Sequence, residues 1–269
     1  MLRFPPRRLL VAVDFSKESL YAWNAAKAIA ERFGAVLEAV WCVEPVVTEL
    51  TGLRNLSRSP GYRAEGLKRL RARLGPGSRL HAVKGDPVAA IRRLARDRRC
   101  DLVIMGRSRK RGIERWVQGS VAEAVVRAAP CPVLVVPRAW ASPRKVLAPV
   151  NDAAYADRGL LAAAVVARAY GGRLRMLEVV AKAALAPYSA KRMRLQASKL
   201  PAAVIRELRP DLHVRVGDPV KEILRAERAQ DMAVLVMHRK SLLGDMVLGT
   251  TVERVLRHSR IPVLAIPAR

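Results

Sequence analysis

Short apolar runs alternate with amphipathic stretches along this chain, and near its midpoint the alternation starts again. Arg8 to Val13 is a run of strand formers ended by Asp14; apolar runs of this length, bounded by turn residues, read as buried strands. Ser16 stands as the N-cap of a predicted helix from Lys17 to Phe33, with Ala22, Ala25, Ala26, Ile29 and Ala30 along one stripe and Gly34 at the C-cap. Ala35 to Val43 is a second strand. Residues 45–64 show weak periodicity and read as loop running into a basic, amphipathic helix over Ala64 to Leu74. After a third strand, Arg79 to Lys84, Gly85-Asp86-Pro87 turns into a helix from Val88 to Asp97, because proline presets φ at the helix start and the aspartate can cap it. A fourth strand from Asp101 to Met105 ends at Gly106, and a basic loop containing Gly112 follows. Gly119-Ser120 opens a helix carrying Val121, Ala122, Val125 and Val126. Pro130 and Pro132 stop it before a fifth strand, Val133 to Val136.

Trp140-Ala141-Ser142-Pro143 reads as a linker, after which the pattern repeats. Val146 to Val150 answers to the first strand, Asp152 to Tyr170 to the first helix, and Arg173 to Val180 to the second strand. Leu80-His81 with Gly85-Asp86-Pro87 matches Leu212-His213 with Gly217-Asp218-Pro219. The spacing from Asp101 to Gly119 equals that from Asp231 to Gly249, and Pro132-Val133-Leu134 matches Pro262-Val263-Leu264. Two equivalent domains in tandem, 1–139 and 144–269, are therefore expected. Strands alternating with helices make each a doubly wound α/β domain with a five-stranded parallel sheet.

Composition adds one departure from an ordinary globular chain. The net charge is +27, divided almost evenly: 27 Lys/Arg against 12 Asp/Glu over 1–139, and 23 against 11 over the remainder. One reading is an Arg-rich composition spread over solvated helix faces; the other is affinity for nucleic acid or another polyanion. No nucleic-acid-binding motif or aromatic interleaving accompanies the charge. Cys42, Cys100 and Cys131 form no C-x-x-C pair and lie in or beside strands, which reads as buried reduced thiols. No apolar run reaches the roughly 18 residues that span a membrane, and the N-terminal run is cut by Asp14, so a cytoplasmic protein is expected. The four histidines are dispersed. His81 and His213 occupy equivalent strand positions, which reads as packing, and none of the common catalytic motifs is present. The chain is accordingly read as non-enzymatic.

The candidate chemistry lies between Asp101 and Val136. A loop joining a strand's C-terminal end to a helix N-terminus gathers unpaired N–H groups and the positive end of the helix dipole, which suits an anion. Arg107, Ser108, Arg109, Lys110 and Arg111 add charge and a hydroxyl; the same loop reads equally as a solvated basic turn. Gly106, Gly119 and Ser120 carry a family resemblance. With the spacing between them, the stretch is similar to the C-terminal half of a universal stress protein domain, whose ATP-binding members carry G-x2-G-x9-G-[ST] here. Arg109 stands at the middle glycine. The first strand also ends in a similar V-D-x-S, and the likeness covers both halves.

The resemblance implies a non-catalytic stress-response or regulatory protein. It implies ATP in the first half alone, with no metal beyond nucleotide-bound Mg. Asp14 would contact the nucleotide, with adenine between the ends of the first two strands, beside Ala12, Val13 and Cys42, and Met105 behind the ring. Gly106, Arg109, Gly119 and Ser120 would face phosphate. In the second half Asn151 replaces Asp14, Val236 replaces Gly106 and Arg239 matches Arg109, leaving Gly249-Thr250 as a helix opening. Nucleotide binding as the family does it is not expected there. The family's pairing through last strands implies an intrachain pseudo-dimer, open to further homo-oligomerisation. The alternative is a nucleotide-independent binder of nucleic acid or another polyanion.

Overall fold

The computed structural model describes residues 4–43, 60–75, 79–107, 121–237 and 251–267. They fall into two compact units, one over Pro6–Ala139 and one over residues 140–267 together with Phe4 and Pro5. The first runs β1 (Arg8–Ala12), α1 (Lys17–Phe33), β2 (Val36–Val43), α2 (Pro60–Leu74), β3 (Arg79–Lys84), α3 (Pro87–Asp97), β4 (Leu102–Gly106), α4 (Val121–Ala128) and β5 (Val133–Val136). Its strands are parallel in the order β3-β2-β1-β4-β5.

The second unit has β6 (Lys145–Val150), α5 (Ala156–Ala169), β7 (Arg173–Val180), α6 (Ala186–Ser198), α7 (Ala202–Leu208), β8 (Asp211–Val216), α8 (Pro219–Ala226), β9 (Met232–Met237), α9 (Thr251–His258) and β10 (Val263–Pro267). Its parallel order is β10-β9-β6-β7-β8. Both units are doubly wound α/β domains with five-stranded parallel sheets, as the pattern predicts.

Local chemistry explains why the elements begin and end where they do. Ser16 caps α1 by accepting from the Ser19 N–H, and Gly34 closes it in the left-handed region at φ 62°. Ala22, Ala25 and Ala26 are fully buried on α1, so small side chains let this helix lie close to the sheet. Asp86 and Asp218 cap α3 and α8 by accepting from Ala89 N–H and Lys221 N–H, with Pro87 and Pro219 at the helix starts. The aspartate that opens the fourth strand of each repeat does one further job. Asp101 Oδ2 accepts the N–H groups of Arg7 and Arg8, and Asp231 Oδ2 those of Arg144 and Lys145, which ties each fourth strand to the start of its first.

Three differences from the sequence reading stand out. The basic helix expected from Ala64 starts at Pro60. The helix expected from Asp152 starts at Ala156, because Asn151 Oδ1 accepts from Ala153 N–H and holds the chain in a turn first. Between β7 and β8 lie α6 and α7, where the hydrophobic pattern assigned no element. There Ser189 and Gln196 are buried while Leu185, Tyr188 and Leu195 are exposed, which scrambles the amphipathic signal. Most of the weakly periodic segment, residues 44–59, lies outside the described residues.

Candidate functional site

In the first sheet the chain turns back between β1 and β4: β2 and β3 lie on one side, β4 and β5 on the other. Ligands of open α/β sheets bind outside the strand C-termini at such a switch point. Ala12 pairs with Met105 there, placing Asp14 just beyond one strand end and Gly106 at the other. Asp14 is exposed. Its Oδ1 accepts from both the N–H and the hydroxyl of Ser16, and no described residue donates to its Oδ2. The Asp14 carbonyl also accepts from Ser19 Oγ, at 2.9 Å. The turn is thus fixed while one carboxylate oxygen is left for a donor.

The other expected site residues divide by position. Val13 and Met105 are buried; Ala12 and Cys42 are half-buried, with Cys42 Sγ 4.0 Å from the Pro87 carbonyl oxygen at the start of α3. Arg109, Gly119 and Ser120 lie outside the described residues, as do Ser108, Lys110 and Arg111. Of the two readings of the basic loop, Arg107 does not fit the one that makes it a solvated turn from its first residue. It is buried, and its N–H donates to the Val136 carbonyl, because the chain is still following the sheet at this point.

Contacts that the sequence did not announce brace the Asp14 turn. Phe15 packs edge-on to Trp41 of β2 at 5.7 Å, the Arg69 guanidinium lies 5.1 Å over the Phe15 ring, and Arg73 donates to the Phe15 carbonyl. Trp41 in turn lies against α2 at Gly66, where an added Cβ would come within 2.2 Å of the indole.

Gly106 has a reason besides phosphate. A Cβ placed on it would stand 2.4 Å from the carbonyl of Glu18 and 2.8 Å from Ser19 N, so α1 begins directly against the end of β4. The second unit reverses the arrangement: Val236 fills the strand position, and its Cγ2 would lie 2.5 Å from a Cβ on Gly159 of α5. By constant offset from Asp14 and Asn151, Gly159 answers to Ala22. Each helix–strand contact therefore contains one glycine, on the strand in the first unit and on the helix in the second.

At the opposite, N-terminal end of the strands the two units differ in charge. Buried Glu38 of β2 receives His81 Nε2 at 2.6 Å, Arg8 at 3.4 Å and Arg98 at 3.7 Å. In β7 the matching residue is Arg175, which pairs with Asp211 at 2.8 Å beside His213 Nε2, also at 2.8 Å. The equivalent histidines are thus hydrogen-bond partners of carboxylates, a correction to the packing role read from the sequence. Burial pushes the Asp211 carboxyl up, but hydrogen bonds and charge from His213 and Arg175 outweigh it and hold the group below its ordinary value. The resulting stabilisation is complete above the unfolded carboxyl pKa of about 3.9 and is lost as pH falls through the lower folded value. Asp211→Asn should therefore melt below wild type near neutrality and converge with it in acid. Parallel melting curves across that range would rule the linkage out.

The thiols also sort by environment. Burial pushes Cys100 up to about 11 and Cys131 up to about 12, so both stay protonated and inert, whereas Cys42 is half-buried, against the expectation of three buried thiols. Among the described residues no helix is long and apolar enough to cross a membrane, and no group of three His, Cys, Asp or Glu is placed to hold a metal.

Comparison with known proteins places this geometry. The sequence model of the universal stress protein family matches residues 6–137 and again 143–267. The chain belongs to that family. This tandem universal stress protein is 36% identical over 140 residues to a Staphylococcus epidermidis protein named for the same family, covering 48% of this chain and 83% of the relative. A universal stress protein of Methanocaldococcus jannaschii is 32% identical, covering 48% and 81%. The crystal structure of a universal stress protein from Archaeoglobus fulgidus shares the fold, with a TM-score of 0.73 at 20% identity over 99% of this chain and 100% of that one. A universal stress protein solved with cAMP matches 49% of this chain and 97% of its own at 26% identity, with a TM-score of 0.37.

Proposed function

We propose that this universal stress protein is a non-catalytic stress-response module whose first unit binds one adenine nucleotide at the C-terminal ends of β1 and β4. The observation that supports this reading is the placement of Asp14. It stands at the switch point, its turn is held by Ser16 and Ser19, and Oδ2 is available to a hydroxyl or amino donor. The second unit offers a different group there. Asn151 is engaged through both side-chain ends, Oδ1 with Ala153 N–H and Nδ2 with the Tyr155 hydroxyl, and it carries no charge.

Calorimetry of the purified chain with ATP, ADP and AMP tests the reading. AMP, which lacks a phosphate chain, should bind at most once per chain. Asp14→Ala should weaken that site by roughly tenfold, the scale of one hydrogen bond to a charged group, while Asn151→Ala leaves it unchanged. Two AMP molecules per wild-type chain, or AMP binding indifferent to Asp14→Ala, would overturn it.

A further inference from the structure

A groove of about 620 Å³ opens at the N-terminal edge of the second sheet, where β6, β7 and β8 begin and α7 ends. Its charged lining is Lys145, Arg173, Arg175, Arg209, Glu207 and Asp211. Both carboxylates are already engaged: Asp211 with Arg175 and His213, and Glu207 with Arg168 at 2.7 Å. Lys145, Arg173 and Arg209 form no ion pair among the described residues. The groove therefore holds more positive charge than its own acids neutralise.

The first unit places its charge differently at the matching positions. Register places Arg8 opposite Val36 and Glu38 opposite Arg79; in the second unit Lys145 lies opposite Arg173 and Arg175 opposite Asp211. Arg173 thus stands where the first unit has valine. Arg175 stands where it has a buried carboxylate that draws in two arginines and a histidine. The helix-ending turn differs in the same direction. Gly75 N–H closes α2 on the Arg71 carbonyl at φ +94°, and Arg209 N–H closes α7 on the Ile205 carbonyl at φ 42°. An arginine occupies a left-handed position that favours glycine, and glycine serves at the matching turn of the first unit. Arg173, Arg175 and Arg209 thus bring cations to positions where the first unit has none, Arg209 against backbone preference, while Glu207 and Asp211 stand where it has Arg73 and Arg79, so the units differ in where the charge lies and not in its sum.

We propose that this groove binds a compact phosphate chain, a diphosphate or longer, either free or as the tail of a nucleotide. Guanidinium forks match phosphate oxygens in pairs, and three unneutralised cations exceed the charge of roughly −1.5 to −2 on one phosphate monoester. The site is separate from Asp14 and does not depend on nucleotide binding in the first unit.

Isothermal titration of the full chain with sodium tripolyphosphate at low salt tests it, with ATP as competitor. Competition by ATP identifies nucleotide tails as a source; its absence confines the ligand to free polyphosphate. Arg209→Gly should weaken tripolyphosphate about tenfold, the scale of one charge-assisted contact, while its melting temperature holds or rises because glycine suits that turn. Arg209→Lys should retain most of the affinity. Arg173→Val should weaken binding, Asp211→Asn should tighten it, and Asp14→Ala should leave it unchanged. Absence of tripolyphosphate binding, affinity indifferent to Arg209→Gly and Arg173→Val, or loss of binding in Asp14→Ala would each overturn the proposal.

Discussion

Gly106→Ala should destabilise the first unit by roughly 3 kcal/mol, the upper end for overpacking a close contact, and lower its melting temperature by about 10 °C. The new methyl would sit 2.4 Å from the Glu18 carbonyl, and the obstacle is main chain at the start of α1, which cannot turn aside as a side chain would. Trp23 and Trp41, both buried in this unit, give a fluorescence readout of its unfolding. The second unit supplies the control. Gly159→Ala meets the Val236 methyl, so Val236→Ala should recover much of the loss in the double variant, a coupling expected between residues in contact. A Gly106→Ala protein that melts with wild type would mean that α1 is not seated against β4 as described. Nucleotide binding by that variant bears on function separately. If the glycine serves the helix seat, affinity should fall only as far as the Asp14 turn is displaced.

The second large effect is expected from Trp41→Ala, at about 3–5 kcal/mol, the usual range for deleting a buried aromatic side chain. Trp41 is 4% exposed, fills the space above Gly66 and meets Phe15 edge to face. Its removal should leave a cavity under α2 and free Phe15, the residue following Asp14. Trp41→Phe should cost less, since a smaller ring can still meet Phe15. Chemical denaturation followed by circular dichroism measures both. If Trp41→Ala unfolds within about 1 kcal/mol of wild type, α2 is not packed on this ring.

Much of this architecture is legible in the sequence because the signals are local and occur twice. The limits of α1, β3 and β7 follow from caps and apolar runs, and the paired Gly-Asp-Pro turns fall at the starts of α3 and α8. The partners of charged and small residues are not legible, because they come from distant segments. Nothing near Glu38 announces that His81 and Arg98 converge on it, and nothing near Gly159 announces Val236. At the candidate site, Asp14 and Gly106 can be placed from motif spacing. The packing purpose of Gly106 cannot, since glycine is equally what a phosphate loop and a helix seat require. Trp41 reads as one more strand residue until Gly66 and Phe15 are seen beside it.

The reversal of charge between β2 and β7 bears on how a chain with two similar halves sorts its own strands during folding. Repeats this alike offer each strand a wrong socket of nearly the right shape, and exchange of elements between repeats is a known failure of tandem proteins. Were β7 to enter the first sheet in place of β2, Arg175 would face Arg79. Were β2 to enter the second, Glu38 would face Asp211. Like charges directly opposite on neighbouring strands are destabilising. Each half thus recognises its own second strand by sign as well as by shape.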